Sequence, residues 1–115
     1  MLYFAFGSNL NKKQMKRRCR DSKYIGCYTL KNYKLCFRND NYAGDVIDGG
    51  VADIQKSKNS KVLGAIYKIS KKDEKKLDVY EDFPHLYIKK YFKLHGKKAM
   101  FYYMPKKTKH VPPSK

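Results

Sequence analysis

The sequence predicts an α+β fold in which a small mixed β-sheet curls toward a barrel and carries two short helices. About six or seven short strand candidates lie along the chain, and two helical segments interrupt them without the regular alternation of a doubly wound fold. The 115 residues suffice for one domain with a hydrophobic core and are too few for two of ordinary size. We therefore expect one domain over residues 1–104 and a Pro- and Lys-rich tail over residues 105–115.

The first predicted unit is a strand, a turn and a helix. Residues 2–6 form a short apolar and aromatic run, and Gly7-Ser8-Asn9 closes it, as expected for a buried strand that ends in a tight turn. A capping pattern that begins at Asn11 predicts a helix over residues 12–20. The residues of this helix that should face the core are Met15 and Cys19.

The middle of the chain predicts two pairs of short strands. Residues 24–30 and 33–38 are separated by Lys31-Asn32, a pair compatible with a hairpin turn. Residues 50–55 and 62–69 are separated by the polar stretch 56–61, which we interpret as a second turn. The segment between the pairs, residues 39–50, is the longest predicted loop.

The last third of the chain predicts a second helix and a closing hairpin. Ser70 followed by Asp73 repeats the capping pattern and predicts a helix that runs to about Tyr80, and Pro84 prevents its continuation. Two apolar and aromatic runs follow, at residues 86–94 and 99–104, with a turn at Gly96.

The charge balance leaves two interpretations of the surface open. The chain has 27 Lys and Arg residues against 10 Asp and Glu residues, a net charge of +17. A field of this size attracts polyanions, so RNA or another acidic partner is one interpretation. The other is that Lys fills exposed positions without a partner, because the cations are scattered over predicted turns and faces and no motif clusters them.

The cysteines and the start of the chain predict no metal, no disulfide and no membrane span. Cys19, Cys27 and Cys36 show neither Cys-x-x-Cys spacing nor a His at ligand spacing, so we expect them to pack in the core. The chain opens on an apolar run without a basic leader, and no stretch approaches about eighteen apolar residues. These features predict a cytoplasmic protein.

Two places combine a special backbone with reactive chemistry. The turn at residues 6–9 precedes a helix, and its backbone N–H groups are suited to bind an anion, although such a turn is also ordinary chain chemistry. Glu81 lies between Tyr80 and Phe83, and an apolar setting would raise its pKa and make it a usable base. The alternative is that the acidic groups of this segment face solvent and offset Lys75 and Lys76.

These segments together resemble the gamma-glutamylcyclotransferase family, which has the AIG2-like fold. The resemblance rests on YFAFGSNL at residues 3–10, GGVADI at 49–54, VLGAIYKIS at 62–70 and LDVYED at 77–82. It extends from residue 2 to about residue 94. An opening loop and a distant acidic segment that occur in this order are more specific than either segment alone.

The resemblance implies a metal-free enzyme without an organic cofactor. Family members close the glutamyl group of a small gamma-glutamyl compound into 5-oxoproline and release an amine or amino acid. Glu81 matches the family's general acid and base, and Tyr87 matches an aromatic residue that lines the cavity. The residues that match the loop around the glutamyl group are Tyr3, Phe4, Ala5, Phe6, Gly7, Ser8 and Asn9. A non-catalytic basic module on the same fold, binding an acidic partner or RNA, remains the alternative.

The sequence departs from the family pattern in three places. Phe6 occupies a position where Tyr is usual, which removes a hydroxyl from the loop, and Asp-Phe-Pro follows Glu81 where Gly is frequent. Residues 111–115 resemble the approach to a further helix that the chain lacks, which suggests a short or truncated member. Among the histidines, His85 lies near enough to Glu81 in sequence to border the cavity, whereas His95 and His110 predict no catalytic role.

Overall fold

The computed structural model describes residues 1–7, 11–38 and 51–105. In this part of the chain, five strands form one sheet in the order β2-β3-β1-β5-β4, with β1 parallel to β5 and the other neighbours antiparallel. The predicted α+β class, with two short helices and a mixed sheet, is confirmed. The elements in chain order are β1 (Leu2–Ala5), α1 (Lys12–Arg18), β2 (Lys23–Arg38), β3 (Val51–Lys68), α2 (Lys71–Tyr80), β4 (Ile88–Leu94) and β5 (Lys97–Tyr103).

The central strand β1 separates two hydrophobic cores. Because side chains alternate along a strand, Tyr3 and Ala5 point to one side and Phe4 to the other. The first side, which we call the helix face, is covered by α1 and α2 through Met15, Cys19 and Leu77, so the predicted inward positions of α1 are confirmed. The other side, the aromatic face, has a core made of Phe4, Leu30, Ile54, Val62, Ile66 and Phe101.

The two predicted turns in the middle of the chain are wrong. β2 and β3 are each continuous and pair along their whole length, from Lys23 opposite Lys68 to Arg38 opposite Val51. Between Lys31 and Tyr33 the ladder is irregular, because residues 57–60 of β3 face a single residue of β2. The polar residues at both sites therefore form one irregularity of the ladder, and neither site reverses the chain.

The beginning of α2 is bound to the end of α1 by one buried carboxylate. Ser70 and Asp73 form the predicted capping box. Asp73 also accepts a hydrogen bond from the backbone N–H of Asp21 at 3.3 Å, and its carbonyl accepts one from the Cys19 thiol at 3.7 Å. α1 itself ends at Arg18, two residues earlier than predicted, and its N-cap Asn11 accepts hydrogen bonds from two backbone N–H groups.

The sheet curls, but its described strands do not close into a barrel. The edge strands β2 and β4 have no hydrogen-bonded ladder between them. Their side chains nevertheless meet, because Tyr28 stacks on Phe92 with ring centroids 5.7 Å apart and an interplanar angle of 22°. The predicted barrel is thus correct only in the loose sense of a strongly curved sheet.

Several predictions made from the sequence concern residues outside the described ranges. These are Ser8 and Asn9 of the opening loop, the loop at residues 39–50, His110 and the tail beyond Pro105. Within the described ranges, neither helix is long and apolar enough to cross a membrane.

Candidate active site

Glu81 is the C-cap of α2, and its backbone N–H donates to the Leu77 carbonyl at 2.8 Å. Its side chain is half-buried. Burial raises the pKa of Glu81 from 4.5 to about 7, while the positive charge of Arg18 acts in the opposite direction. The pKa lies where a carboxyl group both accepts and returns a proton near neutral pH.

Arg18 brings the end of α1 to the end of α2. Its guanidinium carbon lies 3.6 Å from the centroid of the Tyr80 ring, and a guanidinium nitrogen donates to the Tyr80 hydroxyl at 2.7 Å. The two residues are 62 positions apart in sequence. The contact places a permanent positive charge within electrostatic range of Glu81.

Tyr102 connects the central strand with the acidic end of α2. Its ring lies edge-on to Tyr3, with centroids 5.9 Å apart, and its hydroxyl donates to Asp78 at 2.6 Å. Burial raises the pKa of Tyr102 far above the usual value, and the hydrogen bond to Asp78 and the charges of Asp78, Tyr3 and Glu81 raise it further. Tyr3 and Glu81 therefore both lie in the electrostatic surroundings of the Tyr102 hydroxyl.

Lys89 fixes the acidic side of α2 to the sheet. Its ammonium lies 2.7 Å from Glu74 and 3.0 Å from Asp78, and 4.3 Å from the centroid of the Phe83 ring. The interpretation that Asp78 faces solvent beside Lys75 and Lys76 is wrong, because its carboxylate is occupied by Tyr102 and Lys89. Only Asp82 is exposed as that interpretation expects.

The helix face collects part of the predicted substrate loop. Tyr3, Ala5 and Tyr87 are buried in the same core as Leu77, one turn before Glu81. Gly7 has a φ of 71°, a conformation that favours glycine where the strand turns away. Ser8 and Asn9 lie outside the described residues, so the predicted position of Glu81 beside this turn stays a prediction.

Phe4 and Phe6 point away from Glu81. The Phe4 ring is fully buried, and Phe6 packs against the same aromatic-face core with its ring centroid 6.2 Å from that of Phe4. A contact of these two residues with a substrate on the helix face would have to come from their backbone. The hydroxyl group that the usual Tyr of the family pattern would carry at position 6 therefore belongs to the aromatic face.

The remaining nucleophile and ligand candidates do not join this site. Burial, and then the neighbouring Asp73, raise the pKa of Cys19 to about 11, which makes its thiol unreactive. Cys27 is exposed, so the expectation that all three cysteines pack in the core is wrong for it. His85 is exposed, and no three His, Cys, Asp or Glu side chains of the described ranges are grouped to hold a metal ion.

Sequence reasoning gave no role to Tyr102 or Lys89, and noted Arg18 only as part of a helix. The two-residue alternation of β5 is a signal for Tyr102, because it places this residue on the same face as Met100. No local signal identifies Arg18, because its partner Tyr80 lies 62 positions later in the sequence, beyond the β2–β3 hairpin. Contacts of this kind depend on how the helices pack.

Known proteins resemble this chain in sequence and in structure. The model of the family described as gamma-glutamyl cyclotransferase, AIG2-like, matches residues 3–115. Gamma-glutamylcyclotransferases from Bos taurus and Homo sapiens are each 32% identical over 81 residues, which cover 70% of this chain. The match spans 43% of the length of each of these relatives.

A solved structure supports the same conclusion at the level of the fold. A gamma-glutamyl cyclotransferase structure superimposes with a TM-score of 0.75 and 27% identity, covering 90% of this chain and 66% of the other. The superposition supports the fold, and the family match and the relatives show the family. The chain belongs to the gamma-glutamyl cyclotransferase, AIG2-like family.

Proposed function

We propose that this protein is a gamma-glutamyl cyclotransferase that releases 5-oxoproline and a free amine or amino acid from a small gamma-glutamyl compound. The observation that carries the proposal is the desolvated Glu81 carboxyl group, which shares its surroundings with Arg18 and Tyr102. A desolvated carboxylate at a helix C-terminus is destabilised and calls for a function.

The reaction needs little covalent help from the protein. The α-amine of the glutamyl group attacks its own γ-carbonyl carbon, and the bond from that carbon to the leaving nitrogen breaks as a five-membered ring closes. Since nucleophile and electrophile belong to one molecule, the protein has to hold the folded-back conformer, move protons and stabilise a developing oxyanion.

Glu81 is the group that moves the protons. As a carboxylate it takes a proton from the substrate ammonium, which frees the attacking amine, and it returns this proton to the leaving nitrogen. The second proton, which the attacking nitrogen loses once the ring bond has formed, passes to the released amine. A pKa of about 7 suits both steps, because neither protonation state is rare at neutral pH. The charge of Arg18 keeps part of the Glu81 population ionised.

The end of β1 is the element suited to hold the substrate. The backbone N–H of Gly7, just after β1, is suited to bind a substrate carboxylate or to face the oxyanion, because glycine allows a ligand to approach the backbone closely. In this proposal Tyr3 and Tyr87 form the wall beside the glutamyl chain, together with the predicted loop residues Ser8 and Asn9.

The net charge of +17 favours substrates whose leaving group is neutral or acidic. A gamma-glutamyl amino acid carries a carboxylate on its leaving part, whereas a gamma-glutamyl-lysine isopeptide or a polyamine derivative adds positive charge. We therefore expect the first class to react with the highest kcat/KM.

The experiment is 5-oxoproline release from a panel of gamma-glutamyl compounds, measured by mass spectrometry, for the wild type, Glu81→Gln and Asp82→Asn. Asp82 is the exposed neighbour in the same turn, so its variant removes a carboxylate without entering the site. We expect at least about a thousandfold loss for Glu81→Gln and little change for Asp82→Asn. An active Glu81→Gln variant, or a wild type that turns over none of the panel, contradicts the proposal.

A further inference from the structure

A cavity of about 860 Å³ opens on the aromatic face of the sheet. Leu2, Tyr28, Ile66 and Leu94 line it, and each belongs to or packs against the aromatic-face core. Glu81 and the helices lie on the other face, against Tyr3 and Leu77. The proposed reaction therefore leaves this cavity unused.

The curl of the sheet gives the cavity its shape. The floor comes from the start of β1 and the end of β3, one wall from β2 at Tyr28, and the other from the turn between β4 and β5. The volume lies within the range of about 300–1,000 Å³ that is usual for small-ligand sites.

Two lysines flank the floor of this cavity. Lys68 lies directly opposite Leu2 in the β1–β3 ladder. On the other side of β1, Ala99 of β5 is the partner of Leu2, and Lys97 lies two residues before Ala99. Because strands alternate, Lys68 is on the same face as Ile66. Lys97 is likewise on the same face as Phe101. Both lysines line the cavity.

The charge around the cavity has one sign. The residues that line it include Lys68, Lys97, Lys98 and His95, and none of them is Asp or Glu. This differs from the helix face, where Glu74 and Asp78 neutralise Lys89. An apolar floor beside ammonium groups, with no carboxylate among the described lining residues, is complementary to a molecule with a hydrocarbon body and one anionic end.

We propose that this cavity binds a small amphipathic carboxylate with a saturated hydrocarbon body. The hydrocarbon lies on Leu2 and Ile66, and the carboxylate contacts Lys68 and Lys97. The binding site is distinct from the proposed catalytic site, and its occupancy does not depend on turnover.

The first test is a calorimetric titration of the full chain with decanoate, octanoate, decanol and acetate. Each methylene removed from decanoate should weaken binding about fourfold, because that much apolar surface returns to water. Decanol lacks the charge and acetate lacks the body, so both should bind far more weakly. Absence of decanoate binding, or equal binding of decanol, overturns the proposal.

The second test separates these two lysines from the general charge of the protein. Lys68→Gln with Lys97→Gln should weaken decanoate binding about three- to tenfold. The matched control, Lys31→Gln with Lys61→Gln, removes the same charge from an exposed pair that faces across the β2–β3 ladder. Equal effects of the two double substitutions would assign the binding to non-specific attraction and overturn the proposal.

Alkylation of Cys27 tests where on the protein decanoate binds. Its exposed thiol lines the cavity, whereas Cys36 is half-buried further along β2. Decanoate should slow alkylation of Cys27 and leave that of Cys36 unchanged, as measured by peptide mass spectrometry. Equal protection of both thiols, or of neither, contradicts the proposed location.

Discussion

The guanidinium group of Arg18 stacks on the ring of Tyr80, the residue before Glu81, with 3.6 Å between the guanidinium carbon and the ring centroid. A hydrogen bond of 2.7 Å from the guanidinium to the Tyr80 hydroxyl adds direction to the contact. The Tyr80 side chain thus holds the guanidinium group of Arg18, whose charge lowers the pKa of Glu81. A substitution of Arg18 should therefore change the pKa of Glu81.

We predict that Arg18→Gln moves the acidic limb of the pH–rate profile to higher pH. The charge of Arg18 lowers the pKa of Glu81, so its removal raises that pKa, and a higher pH is needed to form the carboxylate that accepts the substrate proton. The measurement is kcat/KM for 5-oxoproline release between pH 5 and pH 9. Arg18→Lys keeps the charge and should leave the midpoint close to that of the wild type. A midpoint that moves equally in both variants would show that packing, and not charge, is responsible.

We predict that Glu81→Gln stabilises the protein increasingly as the pH rises from about 5 to about 8. The pKa of Glu81 is 4.5 unfolded and about 7 folded, so the folded state binds the proton more tightly. The stability that this proton contributes is complete below the unfolded pKa and is lost as the pH rises through the folded pKa. Gln stays neutral, so the variant should gain about 1–3 kcal/mol over the wild type, less where solvent screens the group.

Urea unfolding of the two proteins at both ends of this pH range measures the difference. Asp82→Asn is the matched control, because its carboxylate is exposed in the same turn and should give no comparable pH dependence. A stability gain of Glu81→Gln that is the same at both pH values would rule out a buried, proton-binding Glu81.

We predict that Lys89→Gln destabilises the protein by about 1–3 kcal/mol, since it leaves two partly buried carboxylates without their cation. The Lys89 side chain is 10% exposed and contacts both Glu74 and Asp78. The measurement is the free energy of unfolding in urea, with Lys93→Gln, an exposed position on the same strand, as the control. A double-mutant cycle with Asp78→Asn should give a coupling energy above about 0.5 kcal/mol. Additive effects would mean that the ion pair contributes nothing.

We predict that Gly64→Ala destabilises the protein by about 2 kcal/mol or more. An added Cβ would lie 2.5 Å from the carbonyl oxygen of Ala5 and 2.5 Å from the Phe4 ring, and the central strand has no space to yield. Leu63→Ala is the control, because Leu63 is 66% exposed and adjacent. Thermal unfolding of both variants provides the measurement, and a Gly64→Ala protein as stable as the wild type would show that β1 can shift.

The sequence predicted the elements of this fold well where the signal is local. The capping box at Ser70, the inward positions of Met15 and Cys19, and the closing hairpin all depend on residues a few positions apart. The errors concern β2 and β3. Lys31-Asn32 has turn chemistry, yet the long ladder on both sides of it outweighs the local preference and turns the pair into a bulge.

The candidate site likewise contains residues that a local sequence motif predicts and residues that no local motif predicts. The family resemblance predicts Glu81 and the segment of β1 as site residues, since both belong to short motifs. It did not separate the residues of β1 by face, although alternation places Tyr3 toward Glu81 and Phe4 away from it. Arg18 and Tyr102 reach the site through tertiary packing, which one sequence does not encode in any short pattern.

The buried carboxylate of Asp73 has a consequence for protein engineering. It precedes Glu81 by about two helical turns, and it joins α2 to the chain that leaves α1. A graft of α2 alone into a related protein would separate Glu81 from the Asp73 contacts that hold α2 against the chain after α1. The two helices are therefore best exchanged as one unit, with the Ser70–Asp73 and Asp21 contacts kept intact.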